Sequence, residues 1–521
     1  MVKIESSRHL YQSPKYISDN KIYDNFEEAL VAAPKDLTID HAAISSFLSF
    51  GYVTGDRTIF NQIKRLPWLS KGENDKIEIM PVPNHESYSS DYKTLAIKFY
   101  DLILEEVRIA IKGFDNVYVL LSGGLDSRIV AGIVSDLYKE GIIKYKPIGV
   151  TWGLDNSRDV VYGKKMAEML DFEWQYIPIT PDNVLENISI AGKDLGLIHS
   201  PELLHNMNWF NANTKKNSIV LAGSYGDSIG RGEFSGVHLL DLKKPKPKDN
   251  FNLLVDEIKK ISFPIVEEDI NNLFKRSKSK HDYARYECFQ QGYRMRNGLS
   301  HALSIVNKKS RIYQVFTCPN VYGFIWSIHP SYRGDEIYEN LLEIYFPQLA
   351  RVPWARTNKA LAGKTIGERK DLRKEYHLYT QWSKRELRYK LEKIIDIDWF
   401  VKTKIFNKKG LIQLRENVRN SESRVGRTNE FWLWLAGVKS LHDFSISIGK
   451  TISYEVSRGS NMKGLEREEN KIFNDFILKH VNKSEILIRL GKKIRKLKRD
   501  FKLKRTKKRF IKKFPTKDIN Y

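Results

Sequence analysis

Two glycines flanked by hydroxyl and carboxylate side chains, in the segment Ser122–Ser127 (SGGLDS), form the part of this sequence best suited to chemistry. Gly123 and Gly124 permit a tight turn and the close approach of a ligand to the backbone. Ser122 and Ser127 add hydroxyl donors beside the free N–H groups expected where a helix begins. Together these donors predict an anion site that suits a pyrophosphate group. Asp126 is a poor direct ligand of phosphate, but its carboxylate suits the Mg²⁺ ion that accompanies ATP.

The segments on either side of this turn predict the elements that position it. A continuous apolar run precedes the turn and indicates a buried strand, and helical spacing of apolar residues follows it. Three further strand patterns come later and alternate with helical ones. The predicted strands are Val117–Leu121, Lys146–Thr151, Trp174–Ile179 and Ser218–Ala222, and the predicted helices are Tyr92–Ile111, Ser127–Tyr138 and Val160–Leu170. This alternation predicts an α/β fold with a doubly wound parallel sheet.

Beyond about residue 251 the strand signals thin out and helical patterns dominate, which predicts a mostly helical C-terminal half. We divide the chain into five regions. They are an N-terminal region (1–90), the α/β domain that carries the turn (91–250), a first helical region (251–380), a second helical region (381–484) and a basic tail (485–521). The boundary near residue 90 follows a Pro- and Ser-containing stretch typical of a linker.

Composition excludes several classes of protein. The chain has 521 residues, of which 41% are hydrophobic, so it can fill a sizeable core and is not wholly disordered. Two cysteines, Cys288 and Cys318, are too few for a disulfide framework, and no Cys/His cluster indicates zinc. No apolar run is long enough to span a membrane, and no signal peptide is evident. We therefore expect a cytoplasmic protein without a transmembrane segment.

The basic charge is concentrated in one segment. Arg489–Lys513 contains fifteen Lys/Arg and one acidic residue, a net +14 of the formal +24. A stripe of Leu490, Ile494, Leu497 and Phe501 at helical spacing makes this tail a predicted basic amphipathic helix. Such a helix suits an anionic membrane surface, RNA or an acidic protein, or it is simply solvated. The first alternative would place the protein peripherally at the inner membrane surface.

Around the turn, LLSGGLDSRIVAGI resembles the pyrophosphate loop of the N-type ATP pyrophosphatases, the PP-loop superfamily, and within it the synthetase domain of the asparagine synthetase family. Three other segments are similar to that family. They are DHAAISSFLSFGYVTGDRTIFNQIKRLPW (residues 40–68), LDNSRDVVYGKKMAEMLDFEWQYIPI (154–179) and IVLAGSYGDSIGRG (219–232). The resemblance covers about residues 40–360 and implies a sheet of the adenine nucleotide alpha hydrolase-like type.

The resemblance implies a site and a reaction, with ATP and Mg²⁺ as cofactors. A substrate carboxylate, such as that of aspartate, would attack the α-phosphate of ATP to give an acyl-adenylate and pyrophosphate. Ammonia or an amine would then take the acyl group, so the implied enzyme is an AMP-forming carbon–nitrogen ligase. The implied ATP and pyrophosphate contacts are Leu121, Ser122, Gly123, Gly124, Asp126, Ser127, Thr151, Gly223 and Lys364, with Lys359 as a further candidate, and the implied metal ligands are Asp126 and Asp227. Among these, the backbone groups of Thr151 and Gly223 would border the adenine.

The sequence departs from the family pattern in the part that would serve the amine. Position 2 is Val2 rather than the nucleophilic Cys of glutamine-dependent members, so we expect no glutaminase activity and a separate ammonia source. Ser224 stands where the family has a Glu, three residues before Asp227. A hydroxyl is a weaker base than a carboxylate, so Ser224 stays a catalytic candidate beside the acids Asp155, Asp159 and Glu233.

Some interpretations stay open at this stage. Arg128, which follows the turn, suits either a pyrophosphate contact or a solvent-facing helix position. Gly363-Lys364-Thr365 is similar to the end of a P-loop, but Asn358 replaces the first glycine and no strand precedes it. Besides the amide-forming ligase, the same fold can serve as a tRNA-modifying ATP pyrophosphatase, with the tail on RNA, or as a nucleotide-binding pseudoenzyme.

Overall fold

The structure is a computed structural model that describes residues 3–4, 14–73, 76–85, 90–231, 235–420 and 427–455. The basic tail and its predicted contacts lie outside these residues. Within the described ranges, no helix combines the length and the apolar character needed to cross a lipid bilayer. These residues belong to one compact unit that ends at Glu455, and the five-region division stays a prediction.

A parallel sheet of five strands forms the centre of the fold. The strands are β1 (Asn116–Leu120), β2 (Ile148–Gly153), β3 (Glu173–Pro178), β4 (Ser218–Ala222) and β5 (Arg311–Gln314), in the order β3-β2-β1-β4-β5. The helices that precede and connect its first three strands are α1 (Tyr92–Ile111), α2 (Leu125–Lys139) and α3 (Arg158–Met169). The predicted fold class, a doubly wound parallel α/β sheet with a mostly helical C-terminal half, is confirmed.

The fifth strand corrects the sequence analysis, which ended the sheet at Ser218–Ala222. Arg311–Gln314 pairs in parallel with β4, from Ile219 opposite Arg311 to Ala222 opposite Gln314. The strand is only four residues long and has a charged residue at one end and an amide at the other. It therefore lacks the apolar run that revealed the other strands, although three of its residues are buried.

The strand order creates a crevice at one edge of the sheet. Chain connections run one way from β1 to β3 and the other way from β4 to β5, so the direction reverses between β1 and β4. Open α/β sheets bind their ligands at such a switch point, beyond the carboxyl ends of the strands. Leu120 lies opposite Ala222 in the register of β1 and β4. The loops that begin at Leu121 and Gly223 therefore leave the sheet side by side.

Smaller sheets and two helices make up the N-terminal region. The strands Tyr16–Ser18, Lys21–Tyr23 and Lys64–Arg65 form one antiparallel sheet, and Lys3–Ile4, Ser70–Glu73 and Lys76–Ile79 form another. The helices are Phe26–Ala32 and His41–Phe50. Asp36–Thr38 pairs in parallel with Thr451–Ser453, which ties this region to the other end of the described chain.

Helices account for most of the remaining described residues. The α-helices are Pro181–Lys193, Trp209–Asn213, Asp256–Arg276, Asp282–Phe289, His301–Leu303, Pro319–Ser327, Asp335–Tyr345, Pro347–Ala350, Tyr379–Lys384, Arg388–Ile394, Ile397–Lys402, Lys408–Asn420 and Thr428–Ser447. Asp335–Tyr345 packs against α1, and Thr428–Ser447 packs against Pro181–Lys193. Two segments, Asp227–Arg231 and Gln290–Ser300, are π-helical, a rare geometry that is frequent at functional sites.

Candidate nucleotide-binding site

A cavity of about 350 Å³ lies at the switch point of the sheet. We call residues 122–127 the first loop and residues 223–228 the second loop. Both loops line the cavity, together with the end of β2. The lining residues are Leu120, Leu121, Ser122, Gly124, Asp126, Ser127, Trp152, Asp159, Gly223, Ser224, Tyr225, Asp227 and Tyr376. The structure thus brings most of the site residues named from the sequence into one cavity.

The two serine hydroxyls of the first loop hold its shape. The backbone N–H of Ser122 and the hydroxyl of Ser127 are 3.2 Å apart, and the Gly124 N–H donates to the Ser122 hydroxyl at 3.2 Å. Helix α2 begins at Leu125, and no side chain caps its first turn. The amino terminus of α2 therefore faces the cavity with its backbone N–H groups uncapped, which is the arrangement that favours an anionic ligand.

Gly123 serves packing rather than the cavity wall. Its N–H donates to the Asp159 carboxylate at 3.1 Å, and its carbonyl accepts from the N–H of Ala355 at 3.0 Å. A Cβ atom at position 123 would lie 2.6 Å from the Cβ of Ala355. Only glycine lets the first loop pack this closely against the segment 349–355. Its N–H is directed at Asp159 rather than at the space where a ligand would bind.

Arg128 is neither solvent-facing nor part of the cavity wall, so both expectations for it are wrong. Its side chain is fully buried, and one terminal nitrogen donates to the carbonyls of Leu349 at 2.7 Å and Val352 at 2.8 Å. The other terminal nitrogen donates to the carbonyls of Pro353 and Gly123, each at 3.2 Å. Burial lowers the pKa of Arg128 to about 9. The guanidinium joins the segment 349–353 to the first loop.

Asp126 projects from the first turn of α2 into the cavity and is paired with Arg231. Arg231 Nη2 lies 3.0 Å from Oδ2 and 3.2 Å from Oδ1 of Asp126, and its Nη1 lies 2.9 Å from Asp335. Burial raises the pKa of Asp126 to about 6, against the lowering effect of Arg231 and with a further rise from Asp227. The two predicted metal ligands are therefore close enough to interact electrostatically.

The second loop packs directly on the first. A Cβ atom at Gly223 would lie 2.5 Å from the backbone nitrogen of Ser127, and one at Gly226 would lie 2.5 Å from Oδ1 of Asp126. Between these glycines, Tyr225 has a φ of +74°, a left-handed conformation that is strained for a side chain of this size. Such strain is kept where the surrounding structure imposes it, most often at functional sites.

The chemistry of the donor set fits a magnesium ion bound together with nucleotide phosphates. Mg²⁺ usually takes one or two protein carboxylates and completes its shell with phosphate oxygens and water. Asp126 and Asp227 supply two carboxylates in one cavity, and Asp227 is exposed. Among the described residues, no group of three or more His, Cys, Asp or Glu side chains could hold a metal by itself. A metal here would need the phosphates as ligands.

Several residues named from the sequence lie elsewhere. Thr151 is 1% exposed, accepts a hydrogen bond from the Trp174 indole at 3.3 Å and is not among the lining residues. Lys364 and Lys359 belong to the irregular loop 355–378, and neither lines the cavity. Asp155 is exposed outside the cavity, and Glu233 lies outside the described residues. Among these alternative acids, Asp159 alone is a described lining residue.

Asp159 reaches the cavity from the first turn of α3. Burial raises its pKa to about 6, and the hydrogen bond from the Gly123 N–H opposes that rise. A carboxyl group that titrates near neutral pH can exchange protons at the working pH of an enzyme. The acid that orients the first loop is thus also an ionisable group of the cavity.

Sequence reasoning missed three residues at the site. Trp152 and Tyr376 form an aromatic wall of the cavity at the carboxyl end of β2, and Arg231 pairs with Asp126 behind it. Tyr376 is far from the first loop in sequence and belongs to no motif, whereas Arg231 lies inside the family-like segment 219–232, four residues after Asp227. Trp152 directly follows the predicted Thr151, and its position at a strand end was the one available signal.

Comparison with known proteins finds similarities to a family model, to a curated protein and to a solved structure. Residues 98–286 match the family model described as asparagine synthase. A segment of 164 residues is 22% identical to "Asparagine synthetase [glutamine-hydrolyzing]" of Gallus gallus and covers 30% of this chain and 28% of that protein. The NMN synthetase structure from Francisella tularensis is 15% identical over 42% of this chain and 93% of that chain, with a TM-score of 0.19.

The family match contains the first loop, the second loop, β1 to β4 and the three aspartates of the cavity, Asp126, Asp159 and Asp227. The similarity to the Gallus gallus enzyme is confined to little more than a quarter of that enzyme's length. It therefore bears on one domain and not on the whole relative. Residues 98–286 of this chain thus match the family model of the asparagine synthase domain.

Proposed function

We propose that this protein is an ATP-dependent amide-forming ligase. It adenylates a small carboxylate with release of pyrophosphate and passes the acyl group to ammonia or an amine. The nearest named activity is the synthesis of asparagine from aspartate. The observation that carries the proposal is the meeting of Asp126, Asp227 and the uncapped amino terminus of α2 in one cavity at the switch point.

In the first half-reaction the first loop would hold the leaving group. The uncapped N–H groups of α2 and the hydroxyls of Ser122 and Ser127 are donors that suit the β- and γ-phosphates. Asp126 and Asp227 would hold Mg²⁺, which neutralises charge on the departing pyrophosphate. These donors are fixed by the fold before the ligand arrives, so they stabilise the developing charge without reorganisation.

The adenosine end of ATP would lie toward β2. Trp152 and Tyr376 line the cavity there, and aromatic faces stack favourably on a nucleobase. Gly223, which follows the end of β4, also lines the cavity, and the sequence resemblance implied an adenine contact for its backbone. Trp152 takes the place beside the base that the resemblance assigned to its neighbour Thr151.

In the second half-reaction an amine must lose a proton as it attacks the acyl-adenylate. Ser224 lines the cavity but is a weak base at neutral pH, whereas Asp159 has a pKa of about 6 and lines the same cavity. We assign proton acceptance to Asp159 and a hydrogen-bonding role to Ser224. Ammonia would come from solution or from a separate protein.

Exchange of radiolabelled pyrophosphate into ATP tests the proposal. Wild-type protein, assayed across a panel of small carboxylic acids that includes aspartate, should catalyse carboxylate-dependent exchange, and Asp126→Asn should abolish it. Release of ADP in place of AMP would contradict the mechanism. Binding of ATP without exchange for any acid would instead indicate a nucleotide-binding pseudoenzyme.

A further inference from the structure

Arg231 ends the π-helical segment that follows the second loop, and its guanidinium is held from four sides. Two sides are the carboxylates of Asp126 and Asp335, at 3.0 and 2.9 Å. The other two are the rings of Tyr338 and Trp354, whose centroids lie 5.1 and 5.5 Å from the guanidinium carbon. The side chain is 5% exposed. It is therefore a fixed internal cation rather than a mobile surface arginine.

The contact with Asp126 uses both carboxylate oxygens. Nη2 reaches Oδ1 and Oδ2, and Nε lies 3.4 Å from Oδ1. Tyr338, whose ring lies under the guanidinium, donates its own hydroxyl to the Gly226 carbonyl at 2.6 Å. The arginine thus lies three residues beyond the second loop, and the carboxylate belongs to the first loop. Arg231 joins the two loops through the residue to which the proposed function assigns the metal.

The local charge balance gives this pairing a consequence for metal binding. Asp126, Asp159 and Asp227 are the carboxylates that line the cavity, and Arg231 is shared between Asp126 and Asp335. A divalent ion that approached Asp126 without nucleotide would meet this guanidinium at short range, where charge repulsion is strong. A carboxylate has lone pairs for both an arginine and a metal. A metal that arrives with a triphosphate, whose negative charge offsets the guanidinium, can therefore share Asp126 with Arg231.

We propose that Arg231 is a resident cation that keeps divalent metal off Asp126 until the nucleotide brings its phosphates. The inference rests on the proposed function, because it takes Asp126 and Asp227 as metal ligands. Metal binding and nucleotide binding are then coupled through one side chain. In this role Arg231 is a positioning residue that acts through Asp126.

Mn²⁺ serves as a probe for this coupling, because its binding can be followed by electron paramagnetic resonance. Wild-type protein should bind Mn²⁺ weakly alone and tightly with ATP present. Arg231→Met, with a neutral side chain of similar length, should tighten nucleotide-free Mn²⁺ binding by about tenfold or more. Arg231→Lys keeps the charge and should stay close to wild type.

Asp335→Asn is the matched control, since it removes the outer partner of Arg231 and leaves Asp126 paired. Its nucleotide-free Mn²⁺ affinity should equal that of wild type. Equal affinities in wild type and Arg231→Met would overturn the inference. If Arg231→Met does not fold, the thermal unfolding midpoint of the wild-type protein tests the inference instead. Mn²⁺ alone should leave this midpoint unchanged, whereas Mn²⁺ with ATP should raise it. An equal rise with Mn²⁺ alone would overturn the inference.

The same titrations separate this inference from the proposed function. If ATP recruits no Mn²⁺ to wild-type protein, the metal assignment of Asp126 and Asp227 fails, and the inference fails with it. If ATP recruits Mn²⁺ but nucleotide-free binding is the same with methionine at position 231, the metal site stands and the role of Arg231 alone is overturned.

Discussion

The first and second loops leave neighbouring strands side by side but differ in how they are built. The first loop keeps its expected pattern, with two glycines, two linked hydroxyls and an uncapped helix behind it. The second loop keeps Asp227 but has Ser224 where the resembled family has an acid. It also contains Tyr225 in a left-handed conformation and runs into a π-helical turn.

This difference separates the two half-reactions that the cavity would perform. The first loop carries the groups that we propose to hold pyrophosphate, and its expected residues are all present. The second loop carries the position expected to assist the amine, and there the local chemistry has changed from a carboxylate to a hydroxyl. The nucleotide part of the site therefore keeps the residues of the resembled family. In the part that would serve the amine, Ser224 departs from that family, and only this chain's own side chains indicate a role.

The anchoring of the first loop predicts the largest effect. Arg128→Met should lower the free energy of unfolding by about 3 kcal/mol, because buried carbonyls of residues 349–353 lose their donor. Urea denaturation measures this change. Arg285→Met is the surface control, since Arg285 is half-exposed and pairs with Asp282 one helical turn away, and it should cost less than about 0.5 kcal/mol. Equal losses in the two variants would show that Arg128 is not an anchor.

The contact between the loops predicts the next effect. Gly223→Ala places a Cβ atom 2.5 Å from the Ser127 backbone and should cost about 1–3 kcal/mol while weakening ATP binding. Gly323→Ala is the matched control, because its Cβ atom would meet Pro83 at an ordinary 3.4 Å. Thermal unfolding and ATP titration measure both effects. Unchanged ATP affinity in Gly223→Ala would contradict the direct packing of the two loops.

The acids beside the first loop predict a pH dependence. Asp126 and Asp159 each have a pKa of about 6, so both are ionised at pH 7.5 and protonated at pH 5. MgATP affinity should fall as the pH is lowered through 6, by about tenfold for each carboxyl group one unit below its pKa. Asp159→Asn should make this fall shallower, since it removes one of the two groups. An unchanged slope in calorimetric titrations would show that ionisation of Asp159 does not control ATP binding by the first loop.

The second loop predicts the smallest effect on nucleotide chemistry. Ser224→Glu adds a carboxylate to the cavity wall and should speed acyl transfer to hydroxylamine by up to about 100-fold. Pyrophosphate exchange should change by much less, because the first loop is untouched. Ser224→Ala, which adds no base, should give no such gain in transfer. Equal changes in pyrophosphate exchange and acyl transfer would contradict the assignment of these two steps to different loops.

The sequence predicted most of the fold because the first four strands carry strong signals. Ser218–Ala222 is found with exactly the predicted bounds, and the parallel order places both loops together. β5 was missed because Arg311–Gln314 is short and mixed in polarity. The burial of Arg128 on α2 could not be predicted either, because the segment 349–353 that covers its side chain lies more than 200 residues away along the chain.

The site was predictable where chemistry follows a strand end. Asp126, Asp227 and Ser224 come directly after β1 and β4, so the sheet itself brings them together. Arg231 lies in the family-like segment 219–232, but its pairing with Asp126 depends on a π-helical turn. Tyr376 depends on a long loop that folds back on the cavity. The side chain of Thr151 does not line the cavity, whereas its neighbour Trp152 does, because side chains alternate along a strand. The adenine contact implied for the Thr151 backbone stays a prediction.

The fate of oxygen from a labelled carboxylate tests the central claim most directly. When wild-type protein turns over ATP with an oxygen-18-labelled acid and ammonia, mass spectrometry should find one labelled oxygen in AMP. That label records attack of the carboxylate on the α-phosphate, and Asp126→Asn should form no labelled AMP. Label in inorganic phosphate, with ADP as the other product, would contradict adenylation at this site.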